Sequence, residues 1–131
     1  MRVYRIEGFY GQGPYSGISM GSLAWTERKH ELPTHPAPHA DGIILPSYVS
    51  AEYFYGFESL TQLTNWFNRE ELTNISYYDG FEIKVYELED RHIIKGKKHV
   101  AFIKRYAKLK ERIKLPKRSC YGLTVSKNNA A

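Results

Sequence analysis

One segment of the chain joins an aromatic strand to a helix whose first residue can be identified. The segment runs from Tyr55-Gly56-Phe57-Glu58 into Ser59-Leu60-Thr61-Gln62. Ser59 and Gln62 have the spacing of a capping box, in which the Ser59 hydroxyl accepts from the Gln62 amide and the Gln62 side chain returns to the Ser59 amide. Leu60, Leu63 and Phe67 then fall on one helical face. The segment predicts a strand followed directly by a helix over residues 59–67.

Strand patterns surround this helix. They cover residues 3–7, 53–57, 81–88 and 99–103, and the clearest of them follows the turn signal Asp79-Gly80. Glycines between residues 8 and 21 predict a loop, residues 22–31 a short helix, and the stretch after Asn68 a polar connection. The fold class that follows is α+β, with an antiparallel-rich sheet in a single globular domain over residues 1–118 and a tail over 119–131.

Length and composition exclude several classes of protein. The 131 residues suit one domain, and no apolar run approaches the roughly 20 residues that cross a bilayer. The chain enters a strand pattern at Met1 without a signal-peptide segment, so we expect a cytoplasmic protein without membrane contact. Cys120 is the one cysteine, which excludes an internal disulfide and a thiolate zinc cluster. Its role stays open, as does the oligomeric state.

Two histidines in a proline-rich stretch raise the question of a metal site. His35 and His39 lie close to Asp41, but Pro36 and Pro38 prevent the helix that would place both imidazoles on one face. We therefore expect solvated loop histidines and no metal.

Positive charge is concentrated near the end of the chain. Residues 1–103 contain 10 Lys or Arg and 13 Asp or Glu. Residues 104–131 contain 9 Lys or Arg and 1 Glu. Phe102, Tyr106, Leu109 and Ile113 recur at helical spacing, and Pro116 would end a helix. The pattern predicts a basic C-terminal helix.

This basic segment is the candidate surface for a macromolecular partner. The residues expected to bind are Lys104, Arg105, Lys108, Arg112, Lys114, Lys117 and Arg118. A localised basic segment on a mildly acidic body favours contact with a protein, and the alternative is nucleic acid bound through residues 104–118. No DNA-binding or RNA-binding signature accompanies the charge, and a solvated helix face is the structural alternative.

The order of elements from residue 3 to residue 103 resembles that of compact ADP-ribosyltransferase-like domains. The resemblance implies an Arg on the first strand, here Arg5, a Ser at a strand-to-helix junction, here Ser59, and a late carboxylate around NAD. Residues 97–102 offer no Glu or Gln, so Glu87 or Glu89 would have to supply the carboxylate, and Glu87 is the candidate catalytic residue. Each residue has a structural alternative: an ion pair with Glu7 or Glu82 for Arg5, a helix cap for Ser59, and a solvent-facing position for Glu87.

A second resemblance covers the start of the chain. Val3-Tyr4-Arg5-Ile6-Glu7, followed by Gly11-Gln12-Gly13-Pro14-Tyr15, is similar to small uncharacterised proteins of tailed bacteriophages. This resemblance implies an accessory phage protein in the host cytoplasm that binds a host macromolecule, most simply a protein, without a cofactor. An NAD-using enzyme of the ADP-ribosyltransferase type and a nucleic-acid-binding protein are the alternatives, and whether the chain has any catalytic activity stays open.

Overall fold

Two three-stranded antiparallel sheets form the framework of the described chain. The structure is a computed structural model that describes residues 1–13, 35–76 and 80–116. The strands in chain order are β1 (Arg2–Glu7), β2 (Tyr53–Gly56), β3 (Glu82–Glu87), β4 (Ile93–Lys95), β5 (Val100–Ile103) and β6 (Lys108–Ile113). One sheet has the order β1-β3-β6 and the other the order β2-β5-β4.

One backbone bridge joins the two sheets within the described residues. The Tyr4 amide donates to the Phe57 carbonyl at 2.7 Å, and the Phe57 amide donates back to the Tyr4 carbonyl at 2.8 Å. This pair places β1 beside the end of β2. The strands therefore follow one another in the order β4-β5-β2-β1-β3-β6.

Two short helices follow β2, and each begins at a side-chain cap. Helix α1 (Leu60–Trp66) begins after Ser59, whose hydroxyl accepts from the Gln62 amide at 3.0 Å. The Gln62 side chain accepts from the Glu58 amide rather than from that of Ser59. Helix α2 (Arg69–Ile75) begins at a complete capping box between Asn68 and Glu71. Neither helix is long enough to cross a membrane, and the described chain contains no other α-helix.

The alternation of β1 divides the apolar residues between two cores. Ile6 packs with the helices in a cluster of buried residues: Ile6, Phe57, Leu63, Trp66, Phe67, Leu72, Ile75, Ile83 and Leu115. Val3 points to the other face and packs between the sheets with Tyr86, Leu88, Val100 and Phe102. Both faces of the first sheet are therefore covered near β1, while its other edge, β6, is exposed.

The α+β fold and the four strands predicted at 3–7, 53–57, 81–88 and 99–103 are confirmed. The predicted basic C-terminal helix is wrong, because residues 104–106 form a 3-10 turn and residues 108–113 form β6. The apolar residues near positions 109 and 113 fit both a helical and an extended pattern, and backbone pairing with β3 selects the strand. The predicted helix at 22–31, Lys117, Arg118, Cys120 and the 119–131 tail lie outside the described residues.

Candidate functional site

The first candidate site is the exposed strand β6 with the residue that follows it, here called the basic edge: Lys108, Leu109, Lys110, Glu111, Arg112, Ile113 and Lys114. All five side chains from Lys108 to Arg112 are exposed, and Leu109 retains 44% of its accessible surface. β3 pairs with one side of β6, and no described strand pairs with the other side. A strand with an open side can accept a further chain by backbone hydrogen bonding.

The cations of this region divide into paired and unpaired groups. Arg112 lies 3.3 Å from Glu82, Arg105 lies 3.0 Å from Glu52, and Lys104 contacts Glu7. Lys108, Lys110 and Lys114 form no ion pair with a residue in the described ranges. The charge of the basic edge that is not in an ion pair therefore lies on these three lysines, of which Lys110 also acts at longer range to lower the pKa of Glu87.

A β-bulge sets the direction of the middle lysine. Leu109 is opposite Tyr86 and Glu111 is opposite Val85, so Lys110 is an extra residue without a partner in the register. Bulges twist an edge strand and redirect the side chain of the inserted residue. The bulge therefore changes the direction of the Lys110 side chain from the one that regular alternation along β6 would give it.

The second candidate site is a buried carboxylate surrounded by cations, here called the Glu7 cluster: Arg5, Glu7, Lys84, Tyr86 and Lys104. Glu7 is fully buried. Its Oε2 accepts from Arg5 Nε at 2.9 Å and from the Lys104 ammonium, and its Oε1 accepts from the Tyr86 hydroxyl at 2.5 Å and lies 3.3 Å from Lys84 Nζ. Three cations therefore share one carboxylate.

These contacts decide the protonation states in the Glu7 cluster. Burial acts to raise the pKa of Glu7, but hydrogen bonds from Lys104, Tyr86 and Arg5 outweigh it and hold this pKa below its ordinary value. Burial and the Glu7 carboxylate both raise the pKa of Tyr86, which keeps the phenol protonated. Glu7 is therefore the anion and Tyr86 the neutral donor.

Arg5 also links the Glu7 cluster to β2 and to the loop at residues 8–13. Its guanidinium donates to the Tyr55 carbonyl at 2.8 Å and to the Gly11 carbonyl at 3.2 Å, and it lies 5.0 Å from the centre of the Phe54 ring. A Cβ added at Gly13 would lie 3.3 Å from Arg5 Nη2. The glycine-rich loop thus passes closely over the arginine.

A third group of polar residues is buried on the other side of β2. The Asp41 Oδ2 atom lies 2.8 Å from His99 Nδ1, and the same carboxylate accepts from the Lys98 and His99 amides. The His99 ring lies 5.0 Å from the Trp66 ring and 5.8 Å from the Tyr55 ring, centre to centre. Burial lowers the pKa of His99, although Asp41 acts in the opposite direction. The lowered pKa favours the neutral form of the His99 imidazole.

The loop histidines occupy two different environments. His35 is buried, with Nε2 2.7 Å from the Trp66 carbonyl, so the expectation of a solvated side chain is wrong for this residue. His39 is exposed. Asp41 lies against His99 rather than with these two, and no group of three potential metal ligands occurs within residues 1–13, 35–76 and 80–116.

The three candidate catalytic residues have structural partners, and no contact brings them together. Arg5 belongs to the Glu7 cluster, and Ser59 caps α1. Glu87 accepts from the N-terminal ammonium of Met1 at 2.9 Å, which acts with Arg2 to lower the pKa of Glu87. Arg5 and Ser59 do lie on adjoining elements, because β1 meets the end of β2.

The ion pair predicted as the structural alternative for Arg5 forms with Glu7 and not with Glu82. The two residues are two positions apart in a strand and so lie on one face. Lys84, the burial of Glu7 and the Asp41–His99 contact were not predicted, because Lys84 fits an alternating strand and Asp41 and His99 are 58 positions apart along the chain.

The comparisons with known proteins give one family and one relative. The family model described as Bacteriophage T4 Y00F protein matches residues 1–116. An uncharacterized 19.7 kDa protein in the motB-dexA intergenic region of Enterobacteria phage T4 is 38% identical over 66 residues, which are 50% of this chain and 39% of that protein. The match thus spans well under two thirds of the relative's length. No solved structure matches the chain. The resemblance to small phage proteins is confirmed, and neither finding supports the resemblance to ADP-ribosyltransferase-like domains.

Proposed function

We propose that this chain, which belongs to the Bacteriophage T4 Y00F protein family, is an accessory phage protein that binds an acidic host protein through the basic edge. The observation that carries the proposal is the combination of an open strand edge with unpaired positive charge. Lys108 and Lys110 are exposed on β6, and no described residue forms an ion pair with either of them.

The chemistry of the basic edge favours an extended acidic segment as the partner. Backbone groups on the open side of β6 can pair with an added strand, and the lysines can contact its carboxylates. Leu109, with 44% of its surface exposed, adds an apolar contact. An exposed strand usually carries charge to prevent unwanted pairing, so the test must separate a protective role from a binding role.

Nucleic acid is the competing partner, and salt dependence separates the two. Each phosphate contact releases a counterion, which gives a log–log slope of about −0.9 per contact for duplex DNA. Contact of Lys108, Lys110 and Lys114 with three phosphates would give a slope of about −2.7 with little sequence preference. A strand-pairing protein partner would give a shallower slope and a fixed stoichiometry.

The experiment compares two doubly charge-reversed variants of the full chain. Lys108→Glu with Lys110→Glu changes the basic edge, and Lys97→Glu with Lys98→Glu makes the same charge change at exposed positions between β4 and β5. Each variant is used to capture proteins from a host lysate, and the captured partner is then purified and titrated. We expect the first variant to lose binding and the second to retain it.

Equal loss in both variants would indicate a general charge effect and contradict the proposal. Equal retention in both would assign the charge on β6 to protection of an exposed strand. Circular dichroism melts of both variants check that the fold is intact, because neither pair of lysine side chains contributes to a buried core.

An NAD-using activity is the second candidate, and it rests on the placement of two residues. Arg5 on β1 and Ser59 at the start of α1 occupy adjoining elements, in the order that the ADP-ribosyltransferase resemblance implies. Calorimetric titration of the full chain with NAD tests it, with Arg5→Lys as the variant expected to weaken binding. Absence of binding at millimolar NAD would exclude this candidate.

A further inference from the structure

Four cations lie on one face of the first sheet or beside it, with two carboxylates between them. Arg5 is opposite Lys84 on β3, and Lys84 is opposite Arg112 on β6, so three cations form one row across three strands. Glu7 and Glu82 form the next row. Like charges directly opposite each other in a sheet are destabilising. With Lys104 contacting Glu7 from beyond β5, the local excess is two positive charges.

The charged side chains of this group have fewer hydrogen-bond acceptors than donors. Each oxygen of Glu7 already contacts two donors. Glu82 is paired with Arg112. Each lysine ammonium has three donors. Lys104 donates to Glu7 and lies 5.2 Å from the centre of the Phe54 ring, while Lys84 Nζ lies 3.3 Å from Glu7 Oε1. Both ammonium groups are partly exposed, so their other N–H groups are available to solvent or to a bound anion.

These two lysines also lie at the accessible side of the Glu7 cluster. The side chain of Lys84 is 12% exposed and that of Lys104 is 26% exposed, whereas Glu7 is 1% exposed. Gly11, at the tip of the adjacent loop, has a φ of +85°, and a Cβ there would lie 3.1 Å from Lys104 Nζ. A side chain at this position would crowd the ammonium that glycine leaves approachable.

We propose that Lys84 and Lys104 bind the terminal phosphate of a small phosphorylated molecule beside the loop at residues 8–13. A phosphate monoester carries about −1.5 to −2 charges at neutral pH, which matches the local excess, and its oxygens can accept from the N–H groups that Glu7 does not use. The low exposure of Lys84 favours a terminal phosphate over the bridging phosphodiester of a polymer. Both lysines of the proposed site lie outside β6, so it can be tested independently of the proposed function.

The test is a calorimetric titration of the full chain with inorganic pyrophosphate, at an ionic strength held constant with chloride. We expect saturable binding of one pyrophosphate per chain and a melting temperature that rises with pyrophosphate concentration. Parallel titrations with ADP and with a single-stranded oligonucleotide that lacks terminal phosphates distinguish a free phosphorylated molecule from a polymer backbone. Absence of pyrophosphate and ADP binding at millimolar concentration would overturn the proposal, as would equal or tighter binding of the oligonucleotide.

Lys84→Met is the informative variant, because it removes one charge while Glu7 keeps Arg5, Lys104 and Tyr86 as partners. We expect it to weaken pyrophosphate binding about tenfold or more, since a charge-assisted hydrogen bond is lost. Its melting temperature without pyrophosphate should not fall, because the like-charge row is relieved. Lys97→Met, at an exposed position beside the β4–β5 hairpin, is the control and should bind as the wild type does.

A purely structural role for Lys84 predicts the opposite pattern, with a lower melting temperature and unchanged binding, and that result would also overturn the proposal. If Lys84→Met does not fold, Lys104→Met provides the same comparison at a more exposed position. Unchanged pyrophosphate binding in that variant would then overturn the proposal.

Discussion

The carboxylate of Asp41 joins two segments of the chain through its contact with His99, 2.8 Å from Oδ2 to Nδ1. Asp41 lies in the 3-10 turn His39–Asp41, and His99 precedes β5. The same carboxylate accepts from the Lys98 and His99 amides, and the Asp41 carbonyl accepts from the Lys97 amide. The contact therefore fixes the β4–β5 turn against the segment that precedes β2.

Replacement of Asp41 by Asn should destabilise the fold by about 2 kcal/mol, because one amide oxygen cannot satisfy all the donors that the carboxylate satisfies. Urea denaturation followed by circular dichroism measures the change. His39→Asn alters an exposed residue of the same turn and should change the free energy of unfolding by less than about 0.5 kcal/mol. Equal effects in the two variants would assign the loss to the turn rather than to the carboxylate.

Acidification should weaken the fold through His99. Burial lowers the folded-state pKa of His99, while the unfolded chain keeps a value near 6.5. The unfolded state therefore binds more protons as the pH falls below about 6.5, and stability decreases from there down to the folded-state pKa. Urea midpoints at about pH 7.5 and about pH 5 measure the decrease, and His99→Gln should make it smaller. An unchanged pH dependence in that variant would contradict the prediction.

Loss of the hydroxyl of Ser59 should cost about 1 kcal/mol, because Ser59→Ala leaves the Gln62 amide at the start of α1 without its acceptor. Thr64→Ala is the control, since the Thr64 hydroxyl donates to the Thr61 carbonyl on the exposed side of the same helix. Chemical denaturation should separate the two variants. An unchanged midpoint for Ser59→Ala would return this residue to the functional candidates.

Local signals predicted the part of the fold that depends on neighbours in sequence. The cap at Ser59 and the alternation of β1 and β3 appear in the structure where the sequence placed them. The capping box between Asn68 and Glu71 is an equally local signal, and the polar connection predicted after Asn68 is wrong where residues 69–75 form α2.

The features that could not be predicted, β6 and the Glu7 cluster, depend on contacts between residues distant in sequence. Strand β6 forms because β3, more than 20 residues earlier, supplies its backbone partners, and its own residues fit a helix as well. The Glu7 cluster joins β1 to Lys84 and Lys104 across two sheets. An alternating strand pattern predicts that its charged residues face solvent. The burial of Glu7 results instead from the packing of one sheet against the other, which the pattern does not contain.

Neutralisation of Glu7 should be the most damaging of these substitutions. Glu7→Gln leaves Arg5, Lys84 and Lys104 without their shared carboxylate, and removal of one partner from a buried ion pair costs about 3 kcal/mol or more. Denaturation in urea at neutral pH, in a buffer without phosphate, measures this loss.

A double variant shows whether the loss is electrostatic. Lys84→Met should have little effect in the wild-type background, where the lost ion pair with Glu7 offsets the relief of repulsion along the Arg5, Lys84 and Arg112 row. In the Glu7→Gln background no such ion pair remains, so the same substitution should raise the free energy of unfolding. The interaction free energy between the two positions should therefore be clearly different from zero. If Lys84→Met has the same effect in both backgrounds, the damage caused by Glu7→Gln comes from packing or from the Tyr86 hydrogen bond, and not from uncompensated charge.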